Sequence, residues 1–322
     1  MQTKQQIKQL LASAGASVNK RLGQHFLIDL NLMRLLIDSA NISDDDIVLE
    51  VGCGTGSLTE GLAEHAGYCL AVEYDRALTE IAKRQLALHH SGAGVEVINA
   101  DILKNKNAIS QAVIDKLSTA RKKYAGRILL VANLPYNVAS PVMLNLVTGP
   151  MVADGMYVTV QKQVAERMAA AAGNKDYGIL SILLGATGDV KLIRILKPTV
   201  FWPKPRVDSA IVRFIRNKEK VSRIKDIKLL SEIVGFFMGH RRKTLMACSK
   251  FATRRGDPAS PKASPAARAR RSPKGKLKLA KISNWPEIFE RCGIDPKQRP
   301  EQITPEDYIA ISNLCYSDPV NN

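Results

Sequence analysis

The sequence predicts an α/β protein with a doubly wound, mostly parallel sheet and a small C-terminal helical domain. Two observations lead to this prediction. Short apolar runs alternate with longer amphipathic segments between residues 47 and 160, a β-α-β pattern typical of parallel sheets covered by helices. Past residue 190 this alternation stops and helical periodicity dominates.

The predicted elements follow in chain order. Residues 1–19 are polar and weakly helical, and we expect them to be mobile, whereas 30–40 carries leucines at helical spacing. Buried strands are predicted at 47–51, 69–73, 95–98, 128–132 and 156–160, with helices between them at 57–66, 76–88, 106–122 and 139–148. Later helices are predicted at 226–238, 240–251, 284–292 and 304–315. The last of these starts with Thr304 as N-cap and Pro305 at the first helical position.

The length of 322 residues suggests two domains, which we place at 1–204 and 205–322. The segment 254–281 holds ten lysines and arginines against one acid, and we predict a disordered basic insertion there. The formal net charge of +17 favours a polyanionic partner. Five scattered cysteines fit a reducing cytoplasm without a zinc site, and no apolar run is long enough to predict membrane insertion.

The segment VLEVGCGTGSLT (48–59) follows the first predicted strand and opens a helix. Its glycines Gly52, Gly54 and Gly56 let the backbone turn sharply and approach a ligand. The G-x-G-x-G spacing differs from the dinucleotide motif, and the Gly-Lys-Ser/Thr ending of a phosphate loop is absent. E-x-G-x-G-x-G resembles the first motif of S-adenosylmethionine (SAM) methyltransferases, which have a Rossmann-like fold. A glycine-rich turn without a ligand is the alternative.

Two acids support the cofactor interpretation. Glu73 ends the next strand, 21 residues after Gly52, where a carboxylate binds ribose hydroxyls in nucleotide-binding βαβ units. Asp101 follows the third strand and lies at the same edge, where it can accept a hydrogen bond from an adenine amino group. Together the three strand ends predict a SAM pocket.

The fourth strand ends in Asn133-Leu134-Pro135-Tyr136. This sequence resembles the N/D-x-P-Y/F/W signature of methyltransferases that modify nucleobase amines. The Asn133 side-chain oxygen and the Leu134 carbonyl can accept the two hydrogens of such an amine. Pro135 fixes the backbone, and Tyr136 offers a ring on which the base can stack. A capped, proline-stiffened turn is the alternative.

The chain also resembles the KsgA-type small-subunit ribosomal RNA adenine dimethyltransferases, over residues 20–250 and again at 284–315. The matching segments are GQHFLID, LEVGCGTGSLT, VEYD, NADIL, NLPYNVASP, QKQVAERM, YGILSILL, FWPKPRVDSAIVRF and HRRKTL. The resemblance implies transfer of methyl groups from SAM to the N6 amines of two adjacent adenosines near the 3′ end of 16S ribosomal RNA, and a role in small-subunit biogenesis.

The resemblance also implies roles for individual residues. It implies SAM contacts at His25, Leu27, Gly52, Glu73, Asp101 and Asn133, to which the glycine loop adds Gly54. Phe201 corresponds to a second stacking aromatic. We expect RNA contacts from the basic residues Lys20, Arg21, Arg241, Arg242 and Lys243. No metal is implied, and we expect a cytoplasmic monomer whose partner is the immature small ribosomal subunit.

Two other functions remain open from the sequence. An erythromycin-resistance-type enzyme, which methylates an adenine of large-subunit RNA, shares the Q-[NH]-F and N-x-P-Y motifs. A non-catalytic RNA-binding assembly factor could retain the fold without the chemistry. The segments FWPKPRVDSAIVRF and HRRKTL favour the small-subunit enzyme over the first alternative. The intact set of Glu73, Asp101 and Asn-Leu-Pro-Tyr speaks against the second.

Overall fold

The computed structural model describes residues 1–19, 22–89, 94–254, 282 and 284–317. The chain divides into two compact units, one holding Met1–Ala169 and Thr187–Asn217, the other Ala170–Ala186 and Lys218–Asn322. The boundary expected between residues 204 and 205 therefore lies after Asn217, because the last strand of the sheet runs through 209–216. Residues 255–281 of the predicted insertion lie outside the described residues.

The strands of the first unit are short and mostly buried. In chain order they are β1 (Phe26–Leu27), β2 (Ile47–Val51), β3 (Tyr68–Glu73), β4 (Val95–Asn99), β5 (Leu103–Asn105), β6 (Ala108–Ile109), β7 (Ile128–Asn133), β8 (Gly155–Gln161), β9 (Gly188–Leu196), β10 (Phe201–Trp202) and β11 (Ser209–Arg216). Within the described part of the chain, seven of them form one sheet in the order β4-β3-β2-β7-β8-β11-β9.

The sheet is parallel over its first five strands and antiparallel at one edge. Strands β4, β3, β2, β7 and β8 pair in parallel, whereas β11 pairs antiparallel with both β8 and β9. All five strands predicted from apolar runs are present, and the mostly parallel sheet is confirmed. Two short antiparallel pairs, β1 with β10 and β5 with β6, lie outside this sheet.

The helices connect these strands and continue into the second unit. They are α1 (Lys4–Ser13), α2 (Leu30–Ala40), α3 (Ser57–Ala63), α4 (Arg76–His89), α5 (Gln111–Arg121), α6 (Ala139–Thr148), α7 (Lys162–Ala169), α8 (Ile179–Thr187), α9 (Lys218–Ser222), α10 (Ile227–Met238), α11 (Leu245–Arg254), α12 (Trp285–Arg291) and α13 (Pro305–Ser317). Among the described residues, none of these helices has the length and apolar character required to cross a bilayer.

Two helix starts differ from the prediction. The helix predicted over 106–122 begins at Gln111, because the preceding residues form the β5–β6 hairpin and Ser110 takes the N-cap position. The helix predicted from residue 240 begins at Leu245, after a turn through 239–242.

The N-terminal segment, which we expected to be mobile over 1–19, forms helix α1 from Lys4 to Ser13. Thr3 and Gln6 form a capping box at the start of α1. Ile7 and Leu11, four residues apart and therefore on one helix face, are buried against Leu78 of α4. A narrow apolar stripe is sufficient to fix this short helix against its neighbour.

Helix α2 shows how local sequence positions the core. The Asp29 carboxylate caps its start by accepting hydrogen bonds from the amides of Asn31 at 3.0 Å and Leu32 at 3.1 Å. Asn41 ends the helix in the left-handed conformation, with φ of 42°. The apolar face of α2, with Leu36 fully buried, packs in one cluster with residues of β2, β7, β8 and β11.

A buried carboxylate joins the amino-terminal ends of β2 and β7. The Asp46 side chain is 1% exposed and accepts hydrogen bonds from the Arg127 backbone at 2.7 Å, from Arg127 Nη2 at 2.6 Å and from the Ser43 amide at 2.9 Å. Burial by itself would raise the pKa of Asp46, but the hydrogen bonds from Arg127 and Ser43 outweigh it and lower the pKa below 3.8.

We expect Asp46→Asn to lower the free energy of unfolding by about 1.5–3 kcal/mol, the scale of hydrogen bonds to a charged group. A carboxylate whose folded-state pKa is lowered stabilises the fold above its unfolded pKa, and this contribution disappears as pH falls through the folded value. The difference between wild type and variant in urea unfolding should therefore shrink in acid. Asp44→Asn, at an exposed neighbour, is the control and should change little.

Candidate cofactor and adenine site

A cavity of about 350 Å³ opens at the carboxyl ends of β2, β3 and β7. Ligands of open parallel sheets bind at such ends, and the volume is in the range of small-molecule sites. The cavity is lined by ten of the residues predicted from the sequence: His25, Leu27, Gly52, Gly54, Glu73, Asp101, Asn133, Leu134, Pro135 and Tyr136.

The glycine loop packs tightly against two other segments of the site. Gly52 has a φ of 78°, and a Cβ there would lie 2.7 Å from Cγ of Pro135. Gly54 has a φ of 59°, and a Cβ there would lie 2.9 Å from a ring carbon of Phe26. Both the backbone conformation and the available space therefore require glycine at these positions.

Glu73 connects the glycine loop to the end of β3. Its carboxylate accepts hydrogen bonds from the Gly54 amide and from the Asp75 amide, each at 2.9 Å. The residue is 7% exposed, and burial raises the pKa of Glu73 although both amides oppose this shift. Each carboxylate oxygen has a further lone pair, so the group can still accept hydrogen bonds from a ligand.

A second buried acid, Glu50, lies beside the same loop and was not singled out from the sequence. It is 2% exposed, and its Oε2 accepts a hydrogen bond from the Thr59 hydroxyl at 2.6 Å. Burial raises the pKa of Glu50 to about 8, the Thr59 hydrogen bond opposes this, and the negative charge of Glu73 adds to it. A positive charge placed beside these two acids would favour their ionised forms.

Asn133 lines the cavity, and its side-chain amide is fixed by one hydrogen bond. Its Nδ2 donates a hydrogen bond to the His25 carbonyl at 2.8 Å, which determines the orientation of the amide. Its Oδ1 is buried and has no hydrogen-bond partner among the described residues. A buried acceptor without a donor is energetically costly, so this oxygen is suited to receive a hydrogen from a ligand.

The neighbours of Asn133 hold the same loop in place. The Leu134 amide donates to the Thr159 carbonyl at 3.1 Å, and the Leu134 side chain is buried. The Tyr136 hydroxyl lies 2.7 Å from Oγ of Ser209, at the start of β11. Burial raises the pKa of the Tyr136 phenol, although its hydrogen bond with Ser209 opposes the shift.

His25 also lines the cavity, and its ring has a defined proton position. Its Nδ1 lies 2.6 Å from the Pro203 carbonyl, an acceptor, so Nδ1 carries the proton. In the neutral ring Nε2 is then an acceptor. The His25 ring is 5.5 Å from the ring of Tyr136, with 31° between their planes.

A family model described as "Ribosomal RNA adenine dimethylase" matches residues 15–263. The chain belongs to this family. Members of it are SAM-dependent methyltransferases, and the chain is an enzyme of this kind. Two relatives, each called "Ribosomal RNA small subunit methyltransferase A", align over nearly the whole length. The protein of Geobacillus sp. (strain WCH70) is 33% identical over 306 residues, 95% of this chain and 94% of the relative. That of Alkaliphilus oremlandii (strain OhILAs) is 34% identical over 308 residues, with the same shares.

Solved structures agree with the predicted fold class. A dimethyladenosine transferase from Plasmodium falciparum is similar, with a TM-score of 0.64 at 22% identity, over 89% of this chain and 95% of that one. The structure of the 23S rRNA methyltransferase ErmE is also similar, with a TM-score of 0.55 at 19% identity, over 89% of this chain and 98% of that one. At these identities the likeness concerns the fold, and it confirms the Rossmann-like methyltransferase class.

Phe201, for which the family resemblance implies a stacking role, is not among the residues that line the cavity. Its side chain is 2% exposed and packs in the core with Leu27, its partner in the β1–β10 pair, and with Ile211. The aromatic ring beside Tyr136 in this structure is that of His25.

The predicted basic residues have different surroundings in this dimethylase family member. Lys20 and Arg21 lie outside the described residues. Arg241 is held within its own unit, because its guanidinium donates to Glu301 at 2.8 Å and to the Lys175 carbonyl at 3.1 Å. Arg242 and Lys243 are exposed, and Nζ of Lys243 lies 5.6 Å from the ring of Phe251.

Sequence reasoning missed Tyr74 and Ser209. Tyr74 lines the cavity and is 61% exposed, a large exposure for an aromatic ring. The available signal was its position directly after Glu73, since a residue that follows Glu73 at the strand end lies at the same cavity. Ser209 is fully buried, and only the folded chain brings it to Tyr136.

The bond between Ser209 and Tyr136 can be tested with a double-mutant cycle. We expect Ser209→Ala and Tyr136→Phe each to lower the free energy of unfolding by about 0.5–1.5 kcal/mol. The double variant should lose less than the sum, because both substitutions remove the same hydrogen bond. Urea unfolding measures all four proteins. The control combines Ser209→Ala with Tyr124→Phe, because the Tyr124 ring stacks on Tyr68 instead. The losses of unfolding free energy in this second pair should be additive. Additive losses in the first pair would contradict the bond.

Proposed function

We propose that this enzyme transfers methyl groups from SAM to the N6 amines of two adjacent adenosines near the 3′ end of small-subunit ribosomal RNA. The observation that carries this proposal is the buried Asn133 Oδ1, which has no partner among the described residues and lies beside the glycine loop. The names of the two relatives, which specify the small ribosomal subunit, support the choice of RNA.

The residues of the cavity fit SAM. The glycine loop lets a ligand approach the backbone of Gly52 and Gly54, and the free lone pairs of Glu73 can accept the two ribose hydroxyls. Asp101 is exposed at the rim; one of its oxygens accepts from the Leu103 amide, and the other is available for the adenine amino group. Tyr74 offers a face to the adenine ring. The buried carboxylates suit a cofactor that carries a sulfonium and an ammonium group.

When bound, SAM supplies an electrophilic methyl group on a sulfur that leaves as a neutral thioether. The role of the protein is then to orient the target amine. Asn133 Oδ1 and the Leu134 carbonyl accept its two hydrogens, which favours a pyramidal nitrogen with a localised lone pair. Tyr136, held through its hydroxyl by Ser209, stacks on the adenine after the base has left its own stack.

The transfer proceeds in line, and positioning provides most of the acceleration. The nitrogen–carbon bond forms as the carbon–sulfur bond breaks, and the proton of the methylated nitrogen leaves to water. In the second transfer the monomethylated amine keeps one hydrogen, which it can donate either to Asn133 Oδ1 or to the Leu134 carbonyl. Two adenosines with two transfers each require four in total.

The partner is, in this proposal, the immature small ribosomal subunit, to which the enzyme binds as a monomer. Arg242 and Lys243 are the exposed cations of the HRRK segment that can contact phosphates. The cytoplasm is the proposed compartment, since none of the five cysteines, all of which the structure describes, forms a disulfide, and four of them are buried.

The rival substrate, large-subunit RNA, is tested by mapping radiolabelled methyl groups. Undermethylated small subunits and large-subunit RNA are incubated side by side with the enzyme and labelled SAM. We expect label on two adjacent adenosines of the small-subunit RNA. Label on a large-subunit adenine alone would overturn the proposal in favour of the erythromycin-resistance-type activity.

Glu73→Ala should weaken SAM binding by roughly 1.5–3 kcal/mol, because the ribose hydroxyls lose a charged acceptor. Titration calorimetry on the folded variant measures the affinity. Glu80→Ala, which removes an exposed carboxylate paired with Lys83, should leave the affinity unchanged. If Glu73→Ala binds SAM as tightly as wild type, the ribose is held by other groups.

Asn133→Ala should lower the single-turnover rate by roughly 10²- to 10³-fold, the scale for one preorganised hydrogen-bonding group at a reacting centre. RNA affinity should change little, because within the RNA the amide contacts only the reacting amine. Rates and filter-binding constants are compared with those of Asn137→Ala, an exposed amide of the same loop. Equal losses of rate and affinity in Asn133→Ala would rule out the acceptor role.

A further inference from the structure

The outer edge of the sheet carries a basic surface formed by Lys191 and Arg194 of β9 and Arg213 of β11. Strand β9 is the edge strand, with β11 as its neighbour on one side. Lys191 and Arg194 are exposed, and Arg213 is half-buried. Arg213 lies in the segment FWPKPRVDSAIVRF, but none of the three residues is among those expected to contact the cofactor or the adenine.

A β-bulge brings these cations to one face. Lys191 and Arg194 are three residues apart, so regular alternation would send their side chains to opposite faces. The register, however, pairs Arg213 with Lys191 and Ile211 with Arg194, with a shift between Ile211 and Val212. Arg213 and Ile211 are two residues apart and therefore share a face. The extra residue in β9 consequently places all three basic side chains on that face.

The basic surface has few compensating charges. Among the residues that the structure describes, none of its three cations forms an ion pair with a carboxylate. The buried Nε of Arg213 has no hydrogen-bond partner within the same part of the chain. Asp189, at the far end of β9, is the acid of this face; it pairs in register with Ile215 and accepts a hydrogen bond from Asn217. The formal charge is thus 3 − 1 = +2.

The surface lies in register with the adenine site. Asn133 pairs with Thr159 across β7 and β8, Thr159 with Ile211, and Ile211 with Arg194. Register partners share a face, so Arg194 and Asn133 lie in one row across the sheet. Three steps of about 4.8 Å separate their Cα atoms by about 14 Å. Arg194 is therefore close enough to contact RNA that flanks a base held at Asn133.

We propose that the surface formed by Lys191, Arg194 and Arg213 binds the phosphate backbone of the RNA beside the target adenosine. This inference rests on the proposed function, because it takes its partner from the small-subunit RNA. Arginine suits the partner, since its planar guanidinium binds phosphate oxygens in a bidentate manner. Lys191 and Arg194 are both exposed, so their charged groups are accessible to the same polyanion.

The test compares the salt dependence of RNA binding in the full-length chain. Wild type and the double variant Lys191→Ala/Arg194→Ala bind undermethylated small-subunit RNA between about 50 and about 200 mM salt. Each lost phosphate contact reduces the log–log slope by about 0.7 to 0.9, so we expect a reduction of about 1.4 to 1.8. SAM affinity should not change. The control Arg84→Ala/Lys122→Ala removes two exposed cations from α4 and the end of α5, and should keep the wild-type slope.

The charge-conserving variant Lys191→Arg/Arg194→Lys completes the experiment and should restore most of the slope. If the Lys191→Ala/Arg194→Ala protein keeps the wild-type slope while the wild type methylates small-subunit RNA, the surface does not contact phosphates. That result overturns this inference and leaves the proposed function intact. If the wild type neither binds nor methylates small-subunit RNA, the proposed function fails, and the inference fails with it.

Discussion

The contact between Gly52 and Pro135 is the constraint on which the rest of the site depends. A Cβ on Gly52 would lie 2.7 Å from the proline ring, so only glycine allows the two loops to meet. One loop lines the proposed place of the methyl donor, and the other carries Asn133. Because the two loops follow adjacent parallel strands, β2 and β7, the sheet itself brings donor and acceptor groups to one edge.

Electrostatics and packing then act together around this contact. Glu73 is tied to the glycine loop through the Gly54 amide, and Glu50 lies beneath the same loop with a pKa raised to about 8. Burying these two acids costs stability, since desolvation opposes the ionisation of both and the negative charge of Glu73 also opposes that of Glu50. A positively charged ligand offsets part of this cost. Binding of a cationic cofactor should therefore increase the stability of the fold around these two acids.

Much of the fold could be predicted because its signals are local. The apolar runs of β2, β3, β4, β7 and β8 and the turns after them depend on neighbouring residues, and the structure has all five strands. The same holds for the residues of the cavity. Glu73 and Asn133 each end a strand, and the carboxyl ends of parallel strands lie at one edge. Family resemblance added the RNA substrate, which no periodicity could supply.

Other features were decided by contacts between distant parts of the chain. Phe201 lies in the core because β10 pairs with β1. Its register partner, Leu27, is 174 positions away in the sequence, so no local pattern indicates this pairing. The packing of the N-terminal helix α1 depends on Leu78 in α4, and the orientation of Tyr136 depends on Ser209. The sequence by itself determined the strands, the glycine loop and the residues at the strand ends, because these follow from local periodicity and backbone geometry. Only the tertiary structure decided that Ser209 reaches Tyr136 and that Lys191, Arg194 and Arg213 share one face, since long-range pairing and a bulge in β9 set these positions.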